Sequence, residues 1–152
     1  MKSYIQIKNR ISKFDKLINV SGDKSISIRC VLLASQAIGK SKIYNLLESE
    51  DVISTLKSIK KLGINYKKIK NYYEIRGFGL KGFNTKNKVI LNAGNSGTFA
   101  RLVLGLLVDS ENEITITGDK SLSRRDFSRV TNPLKMFGAT LKSKEDQLPV
   151  KI

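Results

Sequence analysis

Three short segments of the chain combine small polar residues with cations, which is a composition suited to binding anions. The first reads Ser-Gly-Asp-Lys-Ser-Ile-Ser-Ile-Arg over residues 21–29. Its glycine and aspartate predict a turn, and the following helix would offer free backbone N–H groups and a partial positive charge. Lys24 and Ser25 fall in the first turn of that helix, and Arg29, four residues after Ser25, projects from the same face. The pattern predicts a phosphate or carboxylate clamp and fits a capped helix with solvated cations equally well.

The second segment reads Asn-Ala-Gly-Asn-Ser-Gly-Thr-Phe-Ala-Arg and ends at Arg101. It joins a predicted strand to a predicted apolar helix. Gly97 would let a ligand approach the backbone closely, and Asn95 and Thr98 can cap the helix or bind. Arg101 is a charge near the start of a helix that we expect to be buried, so it needs an anionic partner. That partner is either a ligand or a structural acid such as Asp119, and the pattern favours an anion site.

The third segment, Gly-Asp-Lys-Ser-Leu-Ser-Arg-Arg-Asp, covers residues 118–126. It follows a predicted strand and precedes a predicted helix, so we expect a loop at the same edge of the sheet as the other two segments. Asp119 would orient a cation there. Arg124 and Arg125 are adjacent, so they cannot both face one pocket.

Four helices are predicted to position these segments, over about residues 24–37, 50–62, 97–108 and 127–137, from their apolar spacing, caps and terminal glycines. The third is apolar nearly all round, which predicts burial, and Pro133 predicts a kink or a late start in the fourth. The residues predicted to face the core are Ile26, Cys30, Leu33 and Ala37 in the first helix, Val52, Leu56, Ile59 and Leu62 in the second, and Phe127, Val130, Leu134 and Phe137 in the fourth.

Seven short β-type runs separate the helices, and the order of elements recurs along the chain. The runs are residues 41–46, 64–68, 72–76, 88–92, 112–117, 139–143 and 149–152. The end of the second helix, Lys-Lys-Leu-Gly-Ile, matches Lys-Met-Phe-Gly-Ala at the end of the fourth. We therefore predict a mixed α/β (α+β) fold with an internal βαβαββ repeat; the alternative is an ordinary α+β domain with chance periodicity. The last run stops inside a predicted strand, from which we expect a fragment of a longer protein.

The amino-acid composition excludes several kinds of catalytic and metal site. The 152 residues carry 28 Lys and Arg against 13 Asp and Glu, a net charge of +15, with one cysteine and no histidine. A histidine-dependent triad, a disulfide framework and a cysteine zinc cluster are therefore excluded. The basic residues fall at predicted helix ends and in turns, so the excess of lysine is more typical of a solvated surface than of a nucleic-acid-binding surface. Without an apolar leader in the first 20 residues or a stretch long enough to span a bilayer, we expect a cytoplasmic protein.

Taken in order, the three segments resemble the 5-enolpyruvylshikimate-3-phosphate synthase family, and the resemblance covers most of residues 15–145. It implies an inside-out α/β barrel built of two domains, each of three βαβαββ units, in a protein about three times this length. Residues 1–15 would then be a strand region belonging to the other domain. Residues 16–152 would be a partial enolpyruvyl transferase domain with two of its three units, at 16–80 and 86–152.

The resemblance also implies roles for individual residues. It assigns Lys24, Ser25 and Arg29 to shikimate 3-phosphate, and Lys24, Gly97 and Arg125 to phosphoenolpyruvate, with Asn95, Thr98 and Arg101 shaping the pocket. Two positions depart from the family pattern, since Ile28 stands where many relatives have His and Asp126 where many have Pro. Neither position is expected to contact substrate.

The implied activity is a transferase reaction of the shikimate pathway, which leads to chorismate and the aromatic amino acids. The enolpyruvyl group of phosphoenolpyruvate passes to the 5-hydroxyl of shikimate 3-phosphate, and phosphate is released. The family works as a monomer without metal or cofactor, is the target of glyphosate, and takes its acid/base groups mainly from the other domain. We therefore expect no catalytic residue in this chain and no turnover by it alone, with neither nucleic acid nor membrane as a partner.

Two other functions remain open at this point. The UDP-N-acetylglucosamine enolpyruvyl transferases share the fold but carry Lys-Asn where this chain has Lys24 and Ser25, and they use a loop cysteine. Cys30 lies on the predicted inward stripe of the first helix instead. A basic nucleic-acid-binding module would explain the positive charge without any pocket. Strong DNA affinity that falls steeply with rising salt concentration would favour this alternative.

Overall fold

Helices and strands alternate along the computed structural model, which describes residues 4–6, 8–9, 13–80, 82–84 and 88–152. The helices of that part are α1 (Lys24–Gln36), α2 (Glu50–Lys61), α3 (Gly97–Leu107) and α4 (Ser128–Met136), with a short 3-10 turn at Leu122–Arg124 before α4. The strands are β1 (Ile38–Tyr44), β2 (Asn65–Ile69), β3 (Tyr72–Phe78), β4 (Val89–Asn92), β5 (Ile114–Thr117), β6 (Lys142–Lys144) and β7 (Gln147–Lys151). The four helices and seven strands predicted from residue spacing are all present, with ends displaced by up to a few residues. None of the described helices has the length and apolar character needed to cross a membrane.

The helix starts follow from their capping residues. The Asp23 carboxylate accepts a hydrogen bond from the Ile26 N–H at 2.7 Å, and Ser96 Oγ accepts one from the Phe99 N–H at 3.2 Å. These bonds satisfy backbone donors that the first turn of a helix leaves free. Ser49 precedes α2 without a side-chain capping bond, and α2 carries two acids in its first turn instead, which suits the positive end of the helix dipole.

The strand order confirms the predicted repeat. The first sheet has the order β1-β3-β2 and is antiparallel throughout. The second has the order β4-β5-β7-β6, in which β5, β7 and β6 repeat the antiparallel pairings of the first sheet, and β4 pairs with β5 in parallel. We call residues 24–78 the first unit and residues 89–151 the second unit. The second unit opens with a strand, whereas described residues 13–23, ahead of α1, form none.

One continuous core joins the two units. α1 contacts α2 and β3 of its own unit and α3 of the second. The largest side chains that are fully buried come from both units: Phe99, Phe127, Ile28, Leu56, Ile59, Leu62, Ile64, Ile75, Leu91, Leu104, Leu107 and Ile114. Burying one such side chain stabilises the fold by roughly 1.5–3 kcal/mol, so the shared core holds the helices that carry the candidate site in place.

The predicted inward stripe of α1 is wrong. Ile26 is 62% exposed and Leu33 is 71% exposed, while Cys30 is only partly buried. The buried face of α1 consists of Ser27, Ile28, Val31, Leu32, Ala34 and Ser35. The helix has apolar residues on two faces, and periodicity alone does not tell which face the neighbouring elements cover. Contacts with α2, α3 and β3 select the face that contains Ile28.

Predictions for the other helices differ in accuracy. All four residues predicted to face inward from α2 are fully buried. In the α4 region Phe127 and Thr131 are buried, but Phe137 is 90% exposed because it lies beyond the end of the helix. Leu102 of α3 is 40% exposed, so this helix is not buried all round as predicted.

The predicted strand region at residues 1–15 falls partly outside the described residues. The described positions within it, 4–6, 8–9 and 13–15, form no strand. The boundaries proposed for the two units, at 16–80 and 86–152, stay predictions.

Candidate anion-binding site

A cavity of about 290 Å³ lies where the N-terminal ends of three helices meet. Its lining comes from the first turns of α1 and α2, from the cap and first turn of α3, and from the loop that leads to α4. The lining residues are Lys24, Ser25, Asp51, Asn95, Ser96, Gly97, Thr98, Arg101 and Arg125. Because a helix N-terminus presents free N–H groups and a partial positive charge, this location favours an anionic ligand.

The structure brings together seven of the eight residues singled out in the sequence. Arg29 is the exception: it is exposed on α1 and does not line the cavity. The reason is geometric, because a residue four positions beyond Ser25 lies about 6 Å further along the helix axis. Arg124 does not line the cavity either, in agreement with the argument that adjacent arginines cannot share one pocket.

The charges that line the cavity are mostly positive. Lys24, Arg101 and Arg125 face a single carboxylate, that of Asp51, whose Oδ2 lies 2.9 Å from Lys24 Nζ. Asp51 is 12% exposed at its side chain and Lys24 is 53% exposed, so the lysine remains within reach of an incoming ligand. The cavity therefore holds a surplus of positive charge that an anionic ligand would neutralise.

Asp51 was missed by sequence reasoning. In the sequence it is an acid in the first turn of a helix, which the helix dipole explains without any site. Its ion pair with Lys24 depends on the packing of α2 against α1, which no local pattern reveals.

Two polar contacts join the units, one between residues that line the cavity and one at the opposite end of α2. Ser25 Oγ lies 3.4 Å from Thr98 Oγ1, which links the first turns of α1 and α3. Lys61, at the end of α2, donates from Nζ to the Ile90 carbonyl oxygen of β4 at 2.9 Å. The relative position of the two halves of the cavity is therefore set by polar contacts as well as by the core.

The hydrogen-bond acceptors that the Arg101 guanidinium meets are neutral backbone carbonyl oxygens. Its Nη2 donates to the Asp126 carbonyl oxygen at 3.0 Å, and its Nη1 lies 3.5 Å from the Gly97 carbonyl oxygen. The guanidinium carbon lies 4.7 Å from the centroid of the Phe127 ring, a cation–π contact. Asp119, the structural partner considered from the sequence, hydrogen-bonds Asn95 instead. The Asp119 carboxylate therefore does not neutralise the charge of Arg101.

Arg125 is held by a chain of hydrogen bonds. Its Nη2 donates to Asn95 Oδ1 at 3.1 Å, and Asn95 Nδ2 donates to Asp119 Oδ2 at 2.7 Å. The other oxygen of Asp119 accepts from the Leu122 N–H at 2.7 Å. The Leu122 N–H, the Asn95 amide and, more weakly, the charge of Arg125 hold the pKa of Asp119 below its usual value. The carboxylate is therefore ionised at neutral pH and accepts hydrogen bonds only.

Gly97 leaves space for the two guanidinium groups. A Cβ at this position would lie 2.7 Å from Arg101 Nη1 and 3.3 Å from Arg125 Nη1. The sequence suggested that the glycine lets a ligand approach the backbone. The structure adds that any larger residue would displace the arginines that line the cavity.

The repeated unit and the cavity at the helix N-termini define a class of protein, an α/β protein of repeated units with a candidate anion-binding site. A family model described as EPSP synthase (3-phosphoshikimate 1-carboxyvinyltransferase) matches residues 8–152. The chain therefore belongs to the EPSP synthase family, which confirms the resemblance seen in the three motifs.

Individual relatives agree with this assignment. The chain is 43% identical to the 3-phosphoshikimate 1-carboxyvinyltransferase of Vesicomyosocius okutanii over 135 residues, which is 89% of this chain and 31% of that protein. It is 43% identical to the protein of the same name from Thermoanaerobacter sp. strain X514, covering 85% of this chain and 30% of that protein. The solved EPSP synthase from Acinetobacter baumannii superposes with a TM-score of 0.80 at 32% identity, over 89% of this chain and 31% of that one. This chain thus spans about a third of the length of these relatives.

Proposed function

We propose that this chain carries the anion-binding part of an enzyme that transfers the enolpyruvyl group of phosphoenolpyruvate to the 5-hydroxyl of shikimate 3-phosphate. The products are 5-enolpyruvylshikimate 3-phosphate and phosphate. The observation that carries the proposal is the cavity lined by cations from both units at three helix N-termini. The names of the relatives support this enolpyruvyl transfer over the one that uses UDP-N-acetylglucosamine.

In this proposal Lys24, Ser25 and Arg29 bind shikimate 3-phosphate. Lys24 and Ser25 already share the cavity. Arg29 lies outside it, about one helical turn further along α1, and an extended ligand that begins at Lys24 can reach it there. Such a ligand would follow the exposed face of α1 out of the cavity.

Phosphoenolpyruvate would bind between the units, at Lys24, Gly97 and Arg125. Asn95, Thr98 and Arg101 would shape this pocket, Asn95 by its bond to Arg125 and Thr98 by its contact with Ser25. The cations would hold the substrate and stabilise the phosphate as it leaves, because charge develops on that group during the reaction.

Proton transfers are assigned to groups outside these 152 residues. The reaction deprotonates a hydroxyl and protonates an enol carbon, which needs a positioned acid and base. The acid that lines the cavity, Asp51, is ion-paired with Lys24. We therefore propose binding without turnover for this chain alone, and a cytoplasmic monomeric enzyme without cofactor, nucleic-acid or membrane partner for the whole protein.

Ligand binding by the purified chain tests the proposal. Two-dimensional NMR titrations with shikimate 3-phosphate should show saturable shifts at residues of the cavity, with a Kd of roughly millimolar magnitude, since a few charge-assisted bonds hold the phosphate. Lys24→Ala should weaken this binding. Lys40→Ala is the matched control, because Lys40 is an exposed lysine of β1 paired with Glu74 and lies outside the cavity.

Three results would contradict the proposal. Shifts scattered over surface lysines would indicate nonspecific anion binding. Strong DNA affinity that falls steeply with salt would favour a nucleic-acid-binding module. Phosphate release at the rate of a full-length relative, with both substrates present, would place the acid/base groups within these residues.

A further inference from the structure

We propose that Asp119 is a positioning residue that sets the direction of the Arg125 guanidinium through the side chain of Asn95. Asp119 does not line the cavity, and the function proposed above gives it no role. The inference rests on that proposed function only in taking Arg125 to bind phosphoenolpyruvate.

The argument begins with the hydrogen-bonding capacity of each group. An ionised carboxylate accepts hydrogen bonds and cannot donate them, whereas the amide of asparagine has one donating and one accepting end. Because Asp119 Oδ2 lies 2.7 Å from the amide of Asn95, the donating Nδ2 must face Asp119. The accepting Oδ1 is then turned toward Arg125, whose Nη2 lies 3.1 Å away. The carboxylate thus decides which end of the amide meets the arginine.

Asp119 is itself anchored by its surroundings. Its own N–H donates to the Gly94 carbonyl oxygen at 2.8 Å, and its second carboxylate oxygen accepts from the Leu122 N–H. The carbonyl oxygen of Asp119 accepts from the Ser123 N–H at 2.9 Å. Asp119 therefore connects the loop before α3 with the loop before α4, which are the two segments that carry Asn95 and Arg125.

An amide at position 119 would remove this control. In Asp119→Asn the oxygen can still accept from Leu122, but the side chain can also offer an NH2 group to Asn95. The Asn95 amide then flips in part of the population and presents its own NH2 group to the guanidinium, where donor meets donor. Arg125 loses a fixed orientation while the loop keeps its backbone bonds.

A double-mutant cycle on the 152-residue chain tests the proposal, with phosphoenolpyruvate and shikimate 3-phosphate titrated separately. Asp119→Asn should weaken phosphoenolpyruvate binding about fivefold, on the order of one lost hydrogen bond, and change shikimate 3-phosphate binding by less than about twofold. Asn95→Ala should cause a similar loss. The double variant should be no weaker than Asn95→Ala alone, because both changes act through the same bond.

Asp146→Asn is the matched control, since it makes the same chemical change outside the cavity, at a carboxylate that accepts from Thr131 Oγ1 instead. It should leave both affinities unchanged. The NMR signals of the Asn95 amide and the Arg125 Nε–H should shift in ligand-free Asp119→Asn and not in Asp146→Asn.

The outcomes separate this inference from the proposed function. If the wild-type chain binds neither substrate, the proposed function fails, and the ligand-free signals of Asn95 and Arg125 still decide the positioning role. Unchanged signals and affinities in Asp119→Asn would overturn the inference. Equal weakening of both ligands, or losses that add in the double variant, would indicate a general structural role and overturn it as well.

Discussion

The two units hold their halves of the cavity in different ways. In the second unit the loop before α3 is fixed by backbone hydrogen bonds: Ala93 N donates to the Thr117 carbonyl and Asp119 N to the Gly94 carbonyl, each at 2.8 Å. In the first unit residues 13–23 belong to no strand, and the loop before α1 is held by the turn that follows β1.

The turn after β1 holds the loop before α1 through side-chain hydrogen bonds and close backbone packing. Asn45 Nδ2 donates to the Val20 carbonyl oxygen at 3.1 Å, and Ser27 Oγ accepts from the Leu47 N–H at 3.0 Å. A Cβ at Gly22 would lie 2.1 Å from the Asn45 carbonyl oxygen, so the two backbones touch. Asn45 itself has a φ of 54°, in the left-handed region. The position of Lys24 therefore depends on particular side chains, whereas that of Asn95 depends on main-chain pairing that most substitutions preserve.

The largest expected difference between the units concerns their second helices. Leu56 of α2 is fully buried and Leu134 of α4 is only partly buried. Leu56→Ala should lower the free energy of unfolding by about 2–5 kcal/mol, and Leu134→Ala by less, because a cavity forms only at the enclosed site. Urea unfolding followed by circular dichroism measures both. Equal losses would mean that the units are equally well packed.

The two site loops should differ in their tolerance of a methyl group. Gly22→Ala should cost about 1–3 kcal/mol by overpacking, because the new methyl group would meet backbone atoms of Asn45 and Leu47. At Gly94, with φ +56°, the nearest atom to an added Cβ is Ser54 Oγ at 3.7 Å, so Gly94→Ala should cost only the left-handed strain of about 1 kcal/mol. Gly22→Ala should also weaken shikimate 3-phosphate binding. A stable Gly22→Ala protein with normal binding would show that the first loop is not held by this contact.

A methyl group at Gly97 should act on ligands more than on stability. The added Cβ would push the ends of Arg101 and Arg125, which are flexible, so the fold can adjust. We expect phosphoenolpyruvate binding to weaken roughly fivefold, in line with partial loss of a charge-assisted bond. A bulkier phosphonate competitor such as glyphosate should lose more. Gly105→Ala is the control, since it lies on α3 with nothing within 4 Å of its Cβ. Equal affinities for Gly97→Ala and wild type would contradict the steric argument.

The smallest effect concerns the titration of Asp119. Its pKa lies below the usual 3.8 because the Leu122 N–H and the Asn95 amide donate to the carboxylate. A carboxylate whose pKa is lowered by folding stabilises the fold above the unfolded-state pKa, and that contribution disappears as the pH falls through the lower folded-state value. Carboxyl ¹³C titration should place the midpoint of Asp119 below 3.8, and Asn95→Ala should raise it.

Asp126 gives an internal reference for this titration. Its pKa is also lowered, mainly by the Ser128 N–H and hydroxyl, so Asn95→Ala should leave it unchanged. An Asp119 midpoint at or above 3.8 in the wild-type chain would contradict the hydrogen-bond chain.

Local patterns predicted those features that depend on neighbouring residues alone. Capping residues, terminal glycines and apolar spacing located the described helices and strands. The apolar residues predicted to face inward from α2 are all buried because this helix has a single apolar face, whereas its buried Thr55 and Ser58 were not predicted. The three polar segments predicted the cavity because each lies next to a helix start, where free N–H groups and a partial positive charge favour an anion.

The tertiary structure alone decided which partner each group meets. α1 has two apolar faces, and only the packing of α2, α3 and β3 shows that Ile28 is inside and Leu33 outside. Asp51 pairs with Lys24, Arg101 binds carbonyl oxygens and the Phe127 ring, and Arg29 stays outside the cavity. The physical reason is that helix and turn formation is governed by contacts a few residues apart. The choice of a hydrogen-bond or packing partner depends on distances between segments that the local sequence does not encode.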